Sequence, residues 1–422
     1  MFGVQVVSYP GHTAVDERPM MEQKTREFIL PGIIKSLTKQ PEVTTGPSSE
    51  PKPGDIVFTG TFEEVNEHFY KQYWRDGLPI IPPTKEKVEE FLKYTPLSSN
   101  TSLGLMRPAM REATVWSVAV NGVMAGCRPQ YMPILVAIAE ILSDPAMNAQ
   151  DFGSTTGYDP YIILSGPIAR QLGFESGVAL LRGGDEANST VSRFQRLYLR
   201  NISGFVPGGS DKGCFGRMWT PVLVEDEVNS PWAPFRVSMG YGHNSNIVAI
   251  NGVHSMTWHY EVPLTTAETM IDGIAYRLTV EPVMGVLVRP TARPMLVISP
   301  IIANKLAGKY TKERVQELLF EKARISLRDY ERQINMQLMP GAKPRTVDAE
   351  VTAGNLPAVF SGTEPNRMVP MYMQASDLWI LVMGDYLRNR MFATNPSGTA
   401  RPTIREIKLP ANWNELVPKL LD

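Results

Sequence analysis

The chain has 422 residues, is 43% hydrophobic, and carries 42 basic against 43 acidic side chains. That length and apolar content support two domains, or one large elaborated domain, with a sizeable core. The balance of charge speaks against nucleic acid or an anionic membrane as the main partner. Two cysteines exclude a disulfide scaffold and suit a reducing compartment. With no basic stretch leading a long apolar run at the start, a cytoplasmic protein without a secretory leader is expected.

Residues 1–54 read as an arm and linker. Residues 21–37 have helical periodicity, and residues 39–54 are rich in Pro, Ser and Gly, a composition that cannot bury enough surface to fold. The arm either wraps a neighbouring subunit or stays mobile. Residues 55–150 read as a helical region. Thr61-Phe-Glu-Glu64 is a capping box, opening a helix with Phe62, Val65, Phe69, Tyr70 and Tyr73 on one face. A second helix is predicted over 85–94. The long apolar region 113–142 is broken by Asn121, Arg128, Pro129, Gln130 and Pro133. It therefore reads as two buried helices joined by a turn, not a membrane span of roughly 20 apolar residues.

From residue 151 onward the pattern becomes α/β. Short apolar runs at 161–164, 295–298 and 378–383 each end in small residues and lead into a helical stretch. That is the mark of βα units, so a mostly parallel sheet is expected, with a helical N-terminal part and the extended arm. Ligands in such sheets gather at the carboxyl ends of strands, which points to Ser165-Gly166-Pro167, Ser299-Pro300 and Gly384-Asp385. Small residues that merely permit tight turns are the alternative. One long helix is predicted from Thr311 to about residue 333, and residues 341–376 read as an irregular excursion. No internal repeat of fixed period is found.

Four stretches could carry chemistry. In Asn121-Gly-Val-Met-Ala-Gly-Cys127-Arg128-Pro, a thiol lies at a turn ahead of a helix, where the dipole and Arg128 favour a thiolate. The run Leu181-Arg-Gly183-Gly184-Asp-Glu-Ala-Asn188-Ser189 ends in a helix start whose N–H groups suit a carboxylate or phosphate. Arg193, Arg196 and Arg200 then share one helical face, as substrate ligands or as a solvated stripe. The glycine-dense loop 206–216 holds Asp211, Lys212 and the second thiol, Cys214, either functional or incidental. His243, His254 and His259 cluster within a short stretch. A metal site, an acid/base role and ordinary structural histidines all remain open, and the spacing fits no zinc pattern. No cofactor motif is present, since Gly-x-Gly-x-x-Gly, the phosphate loop and the Gly-x-Ser-x-Gly elbow are all missing.

Several segments together resemble the large proteins found beside, or fused to, small UGSC-type proteins, which are named for a Gly-Ser-Cys motif preceded by cysteine or selenocysteine. They are Asp76-Gly-Leu-Pro with Pro82-Pro-Thr84, the Met-Ala-Gly-Cys127 region, Gly166-Pro167, Ala187-Asn188 with Arg193, Asn229-Ser-Pro-Trp232, and Ser299-Pro300 followed by Ala303. The resemblance implies association with a small thiol- or selenol-bearing partner subunit. The chain itself has no Gly-Ser-Cys, and it has Met383-Gly-Asp-Tyr386 where that family is expected to carry a glycine-rich loop.

These readings favour an enzyme, or the large subunit of one, acting on a small polar or anionic organic molecule by lyase, hydratase or thiol-dependent chemistry. Cys127, Cys214 and the clustered histidines are the catalytic candidates. Asn121, Arg128, Ser165, Gly183, Gly184, Asn188, Ser189 and Arg193 are the binding candidates. A homo-oligomer is expected, with the arm contributing. The other reading is a non-catalytic scaffold subunit of a hetero-oligomeric complex.

Overall fold

The structure is a computed structural model describing residues 7–11, 13, 15–38, 51–257, 260–280, 291–336, 338, 343–396 and 399–417. The chain divides into two compact units, Met1–Asp55 with Asn335–Pro344, and Ile56–Ile334 with Arg345–Asp422. Residues 39–50 of the expected linker lie outside the described residues.

In the first unit, helical backbone runs from Arg18–Lys24 through a wider turn at Thr25–Ile29 into Leu30–Thr38. Pro31 cannot donate to the carbonyl four residues back, and the wide turn just before it absorbs that defect. None of these helical residues is buried.

The second unit opens with the expected helices. Thr61 and Glu64 form the capping box of Phe62–Lys71, and Thr84 caps Lys85–Leu92. The long apolar region is two buried helices. Val115–Ala125 ends at Gly126, whose φ of 84° requires glycine, and Met132–Ser143 buries every residue except Glu140. Among the described residues no single helix is long and apolar enough to cross a membrane. The stretch Pro129–Ser143 qualifies only together with Pro145–Gly153, across a 69° bend.

The strands in chain order are β1 (Ser102–Met106), β2 (Arg111–Thr114), β3 (Asp159–Ser165), β4 (Val222–Val224), β5 (Ile247–Met256), β6 (Tyr260–Glu261), β7 (Met295–Ile298), β8 (Arg324–Ser326), β9 (Met368–Pro370), β10 (Trp379–Val382), β11 (Arg390–Pro396) and β12 (Thr403–Glu406). β1 with β2, and β8 with β9, form separate antiparallel pairs. The other eight make one sheet in the order β10-β7-β11-β5-β3-β4, with β12 and β6 added on β5 and β11.

The fold is thus mixed α/β, and the expectation of a mostly parallel sheet gives way to a mixed one. Only β3 with β4, and β7 with β10, are parallel; β5 and β11 run antiparallel to their neighbours. The reason is that the stretch after β10 turns directly into β11 instead of forming the helix expected over 385–390. The expected long helix also breaks. It ends at Lys322, β8 follows, and a new helix spans Leu327–Asn335, because residues 324–326 pair with β9. Residues 341–376, read as irregular, supply β9 and the helix Val347–Thr352.

Alternation along the strands separates three cores. Ile162, Leu164, Val222, Val224, Val248 and Ile250 face the first group of helices. Leu296, Ile298, Ile380, Val382, Met391 and Ala393 face the second. The opposite face gathers Tyr161, Ile163, Leu223, Val297, Leu381 and Phe392 into a shared inner core. The N–H of Asp226 donates to the carbonyl of Val382 at 2.9 Å, so the ends of edge strands β4 and β10 meet and the sheet curls around that inner core.

The register shows an internal two-fold arrangement. Exchanging β3, β4, β5 and β6 for β7, β10, β11 and β12 reproduces every pairing and direction within the sheet. Glu225 N donates to Leu164 O as Met383 N donates to Ile298 O. Ile407 N donates to Asn246 O as Val262 N donates to Asn389 O. β6, which follows β5, adds to β11, and β12, which follows β11, adds to β5, so the two halves exchange strands across the middle. Residues match too: counted from Leu164 of β3, Ser165, Ile168, Ala169 and Leu172 have Ser299, Ile302, Ala303 and Leu306 at the same steps from Ile298 of β7. A fixed sequence period is lacking because β8, β9 and their helices are inserted between β7 and β10 in one half only.

Candidate functional site

The carboxyl end of the β3–β4 pair, one of the places where sequence reasoning put the pocket, is filled by the protein's own groups. Ser165 is fully buried, and its hydroxyl donates to Glu225 at 2.6 Å. Glu225 also accepts from Phe235 N at 2.7 Å, and burial raises its carboxyl above the usual range. Arg236 is buried against Glu227 and the carbonyl of His243. A Cβ on Gly166 would lie 2.5 Å from Asn246 Oδ1. Ser165 is therefore a structural pin.

The cavity lies at the opposite, amino ends of β3 and β4, with a volume of about 320 Å³, in the range of a small-molecule site. Three segments build it. The helix Glu186–Tyr198 and its continuation Leu199–Ser203 present Arg196 and Arg200, one turn apart on one face. The head of β3 supplies Tyr158 and Asp159. The glycine-dense loop brings Asp211, Cys214 and Arg217. That loop is fastened to residues 153–157. Lys212 N donates to Gly153 O at 2.8 Å and Cys214 N to Thr155 O at 3.0 Å. Gly157 must be glycine. Its φ is 69°, and an added Cβ would sit 2.0 Å from the carbonyl oxygen of Phe215.

Charge in the cavity is uneven. Asp159, only 1% exposed, accepts from both Arg196 and Arg217, the latter at 3.1 Å. Arg196 Nη2 also donates to Arg217 O at 2.7 Å, while its buried Nε–H has no acceptor among the described residues. Arg200 is partly buried and makes no ion pair or side-chain hydrogen bond among them. Burial lowers its pKa from the ordinary value, against the opposing pull of Asp76 and Asp211. An arginine is not deprotonated at neutral pH, so Arg200 stands in the cavity wall as a cation that feels Asp76 and Asp211 at longer range but makes no contact ion pair among the described residues.

The other sequence candidates fall elsewhere. Cys127 is buried, and burial pushes its thiol up to about 12, outweighing a hydrogen bond with Thr190 and the nearby Arg193. The expected thiolate is opposed by this setting. Arg128 turns away to pair with Glu186 at the surface. Asn121 is buried, donating to Ser117 O and accepting from Asn201. Arg193, expected at substrate, instead grips Asp76 with two hydrogen bonds of 2.8 and 2.9 Å, and also the carbonyls of Leu78 and Pro79.

The Gly183-Gly184 turn forms, with φ of 78° and 100°. The helix after it starts at Glu186, not near Asn188 or Ser189, and is capped by Asp185, whose carboxylate accepts from Asn188 N at 3.0 Å. Ser189 N is taken by Asp185 O. With Asp185 and Glu186 already there, an anion would meet two carboxylates, so the expected anion site at this helix start is occupied from within. The Asn188 side chain bridges Glu175 and Val222 instead.

His243 is exposed, while His254 is half-buried on β5 with its ring 5.6 Å from that of Tyr158, a cavity residue. His259 lies outside the described residues. Among the described residues no group of three or more His, Cys, Asp or Glu could hold a metal ion.

Of the named candidates, the cavity thus brings together Cys214 and the distal part of the arginine stripe. Asp159 and Arg217 were missed. Their signals were faint: an acid just ahead of a wholly apolar strand, and an arginine at the end of a glycine-rich loop. No protein-family model matches the chain, and no curated protein matches it either.

Proposed function

We propose that the protein is an enzyme, or the larger subunit of one, acting on a small anionic organic molecule held in the arginine-lined cavity, with Cys214 as the thiol for its chemistry. The observation that carries this reading is Arg200, a partly buried guanidinium that makes no ion pair or side-chain hydrogen bond among the described residues, in the same cavity wall as an exposed thiol. A partly desolvated guanidinium with unused donors is a natural acceptor site for an anion. Among the reaction classes suggested by the sequence, thiol-dependent chemistry is favoured, because the cavity presents a thiol, Cys214, in its wall.

The test uses paired alkylating reagents of opposite character. Cys214 should react with iodoacetate, relative to neutral iodoacetamide, at a ratio about tenfold above that of the same thiol in the unfolded chain, since one charge-assisted hydrogen bond is worth roughly 1.4 kcal/mol or more. Arg200→Gln should return the ratio to the unfolded value. A native ratio equal to the unfolded one would remove the basis for this function.

A further inference from the structure

The internal two-fold arrangement supplies a control for the cavity, because the same place occurs again in the other half. Leu164 and Ile298 occupy equivalent positions, so Asp159, five residues before the first, corresponds to Arg293, five before the second. In the second half Arg293 pairs at 3.3 Å with Asp377, a residue just ahead of β10. In the first half the polarity is inverted. One carboxylate, Asp159, holds two guanidiniums, Arg196 and Arg217.

We infer that the cavity takes a small organic monocarboxylate, an inference that rests on reading this cavity as the functional site. Its wall carries Arg196, Arg200 and Arg217 against Asp76, Asp159 and Asp211, three charges of each sign. Asp76 is already neutralised by Arg193, which is not part of the wall, and this leaves a surplus of one positive charge. A monoanion cancels that surplus. A phosphate dianion or a dicarboxylate would overshoot it beside Asp159 and Asp211, where like charges repel.

The open donor fits the same class. The guanidinium of Arg200, which makes no ion pair or side-chain hydrogen bond among the described residues, carries in its fork two N–H groups that suit the two oxygens of one carboxylate. The volume of about 320 Å³, with Phe152, Leu199 and Phe205 in the wall, leaves room for a short organic body behind the carboxylate.

The experiment reads protection of Cys214 from iodoacetamide in the full-length protein, with acetate, lactate and benzoate set against phosphate, malonate and succinate at constant ionic strength. At least one monocarboxylate should protect at a concentration about tenfold below any dianion, and Arg200→Gln should raise that concentration about tenfold. Arg200→Lys, which keeps the charge and loses the fork, should fall between them. Dianions that protect as well as or better than monocarboxylates would overturn the inference, and so would absence of protection by every carboxylate. If monocarboxylates fail while iodoacetate still labels Cys214 preferentially, the substrate class falls and the functional reading stands. If that preference is absent too, both fall.

Discussion

Replacing Arg193 by alanine separates a structural role from a substrate-binding one. The side chain bridges the helix Glu186–Tyr198 to the segment 76–79 through two hydrogen bonds to Asp76 and two to backbone carbonyls, with Arg193 14% and Asp76 13% exposed. Its loss strands a mostly buried carboxylate and leaves two carbonyls without that donor. Breaking a fully buried pair costs about 3–5 kcal/mol. The residual exposure here, and the hydrogen bond Asp76 keeps with Leu78 N, point to the lower end, about 3 kcal/mol. The variant should unfold in urea at a midpoint lower by about 1 M with an unchanged slope. Arg193→Ala combined with Asp76→Ala should show a coupling of about 2 kcal/mol in a double-mutant cycle. A midpoint within roughly 0.2 M of the parent, in a variant whose anion binding is impaired, would show that the residue serves ligand and not fold.

Two further outcomes follow from the geometry. Cys127 should resist alkylation in the folded protein while Cys214 reacts, read by mass spectrometry of the two peptides. Because burial lifts the Cys127 thiol to about 12 against roughly 8.5 when unfolded, the folded chain holds that proton more tightly. The associated stability is complete below the unfolded value and is lost as pH rises from there towards about 12, so Cys127→Ala should flatten the alkaline limb of the stability curve. Gly157→Ala should cost about 2 kcal/mol or more, since a Cβ must displace the carbonyl of Phe215 from a backbone at positive φ. It should also change the alkylation rate of Cys214 by loosening its loop; an unchanged melting temperature and rate would refute the close approach.

Local chemistry was legible in the sequence wherever neighbours along the chain decide the outcome. The capping residues Thr61 and Thr311 start their helices as read, because a hydroxyl needs only the N–H three residues on. The apolar region 113–142 was legible as buried helices, since its breaks at Asn121, Arg128, Pro129, Gln130 and Pro133 leave runs too short for a membrane and too apolar for solvent. The strands Asp159–Ser165, Met295–Ile298 and Trp379–Val382 were marked by the short apolar runs at 161–164, 295–298 and 378–383. What pairs with what was not legible. Whether a strand lies parallel or antiparallel depends on where the chain returns, so β5 and β11 converted an expected parallel sheet into a mixed, curled one with two matching halves.

The same limit applied to the site. Cys127 and Cys214 carry comparable local signals, glycines and a nearby cation, yet packing by the Val115–Ala125 and Met132–Ser143 helices buries the first and leaves the second in a cavity wall. Arg193, Arg196 and Arg200 were placed on one face by spacing, but only tertiary contacts assign Asp76 to the first and Asp159 to the second and leave the third without a contact ion pair among the described residues. Helix periodicity fixes which side chains share a direction. The carboxylates that meet them come from residues 117 and 37 positions away in sequence, and no local rule reaches that far.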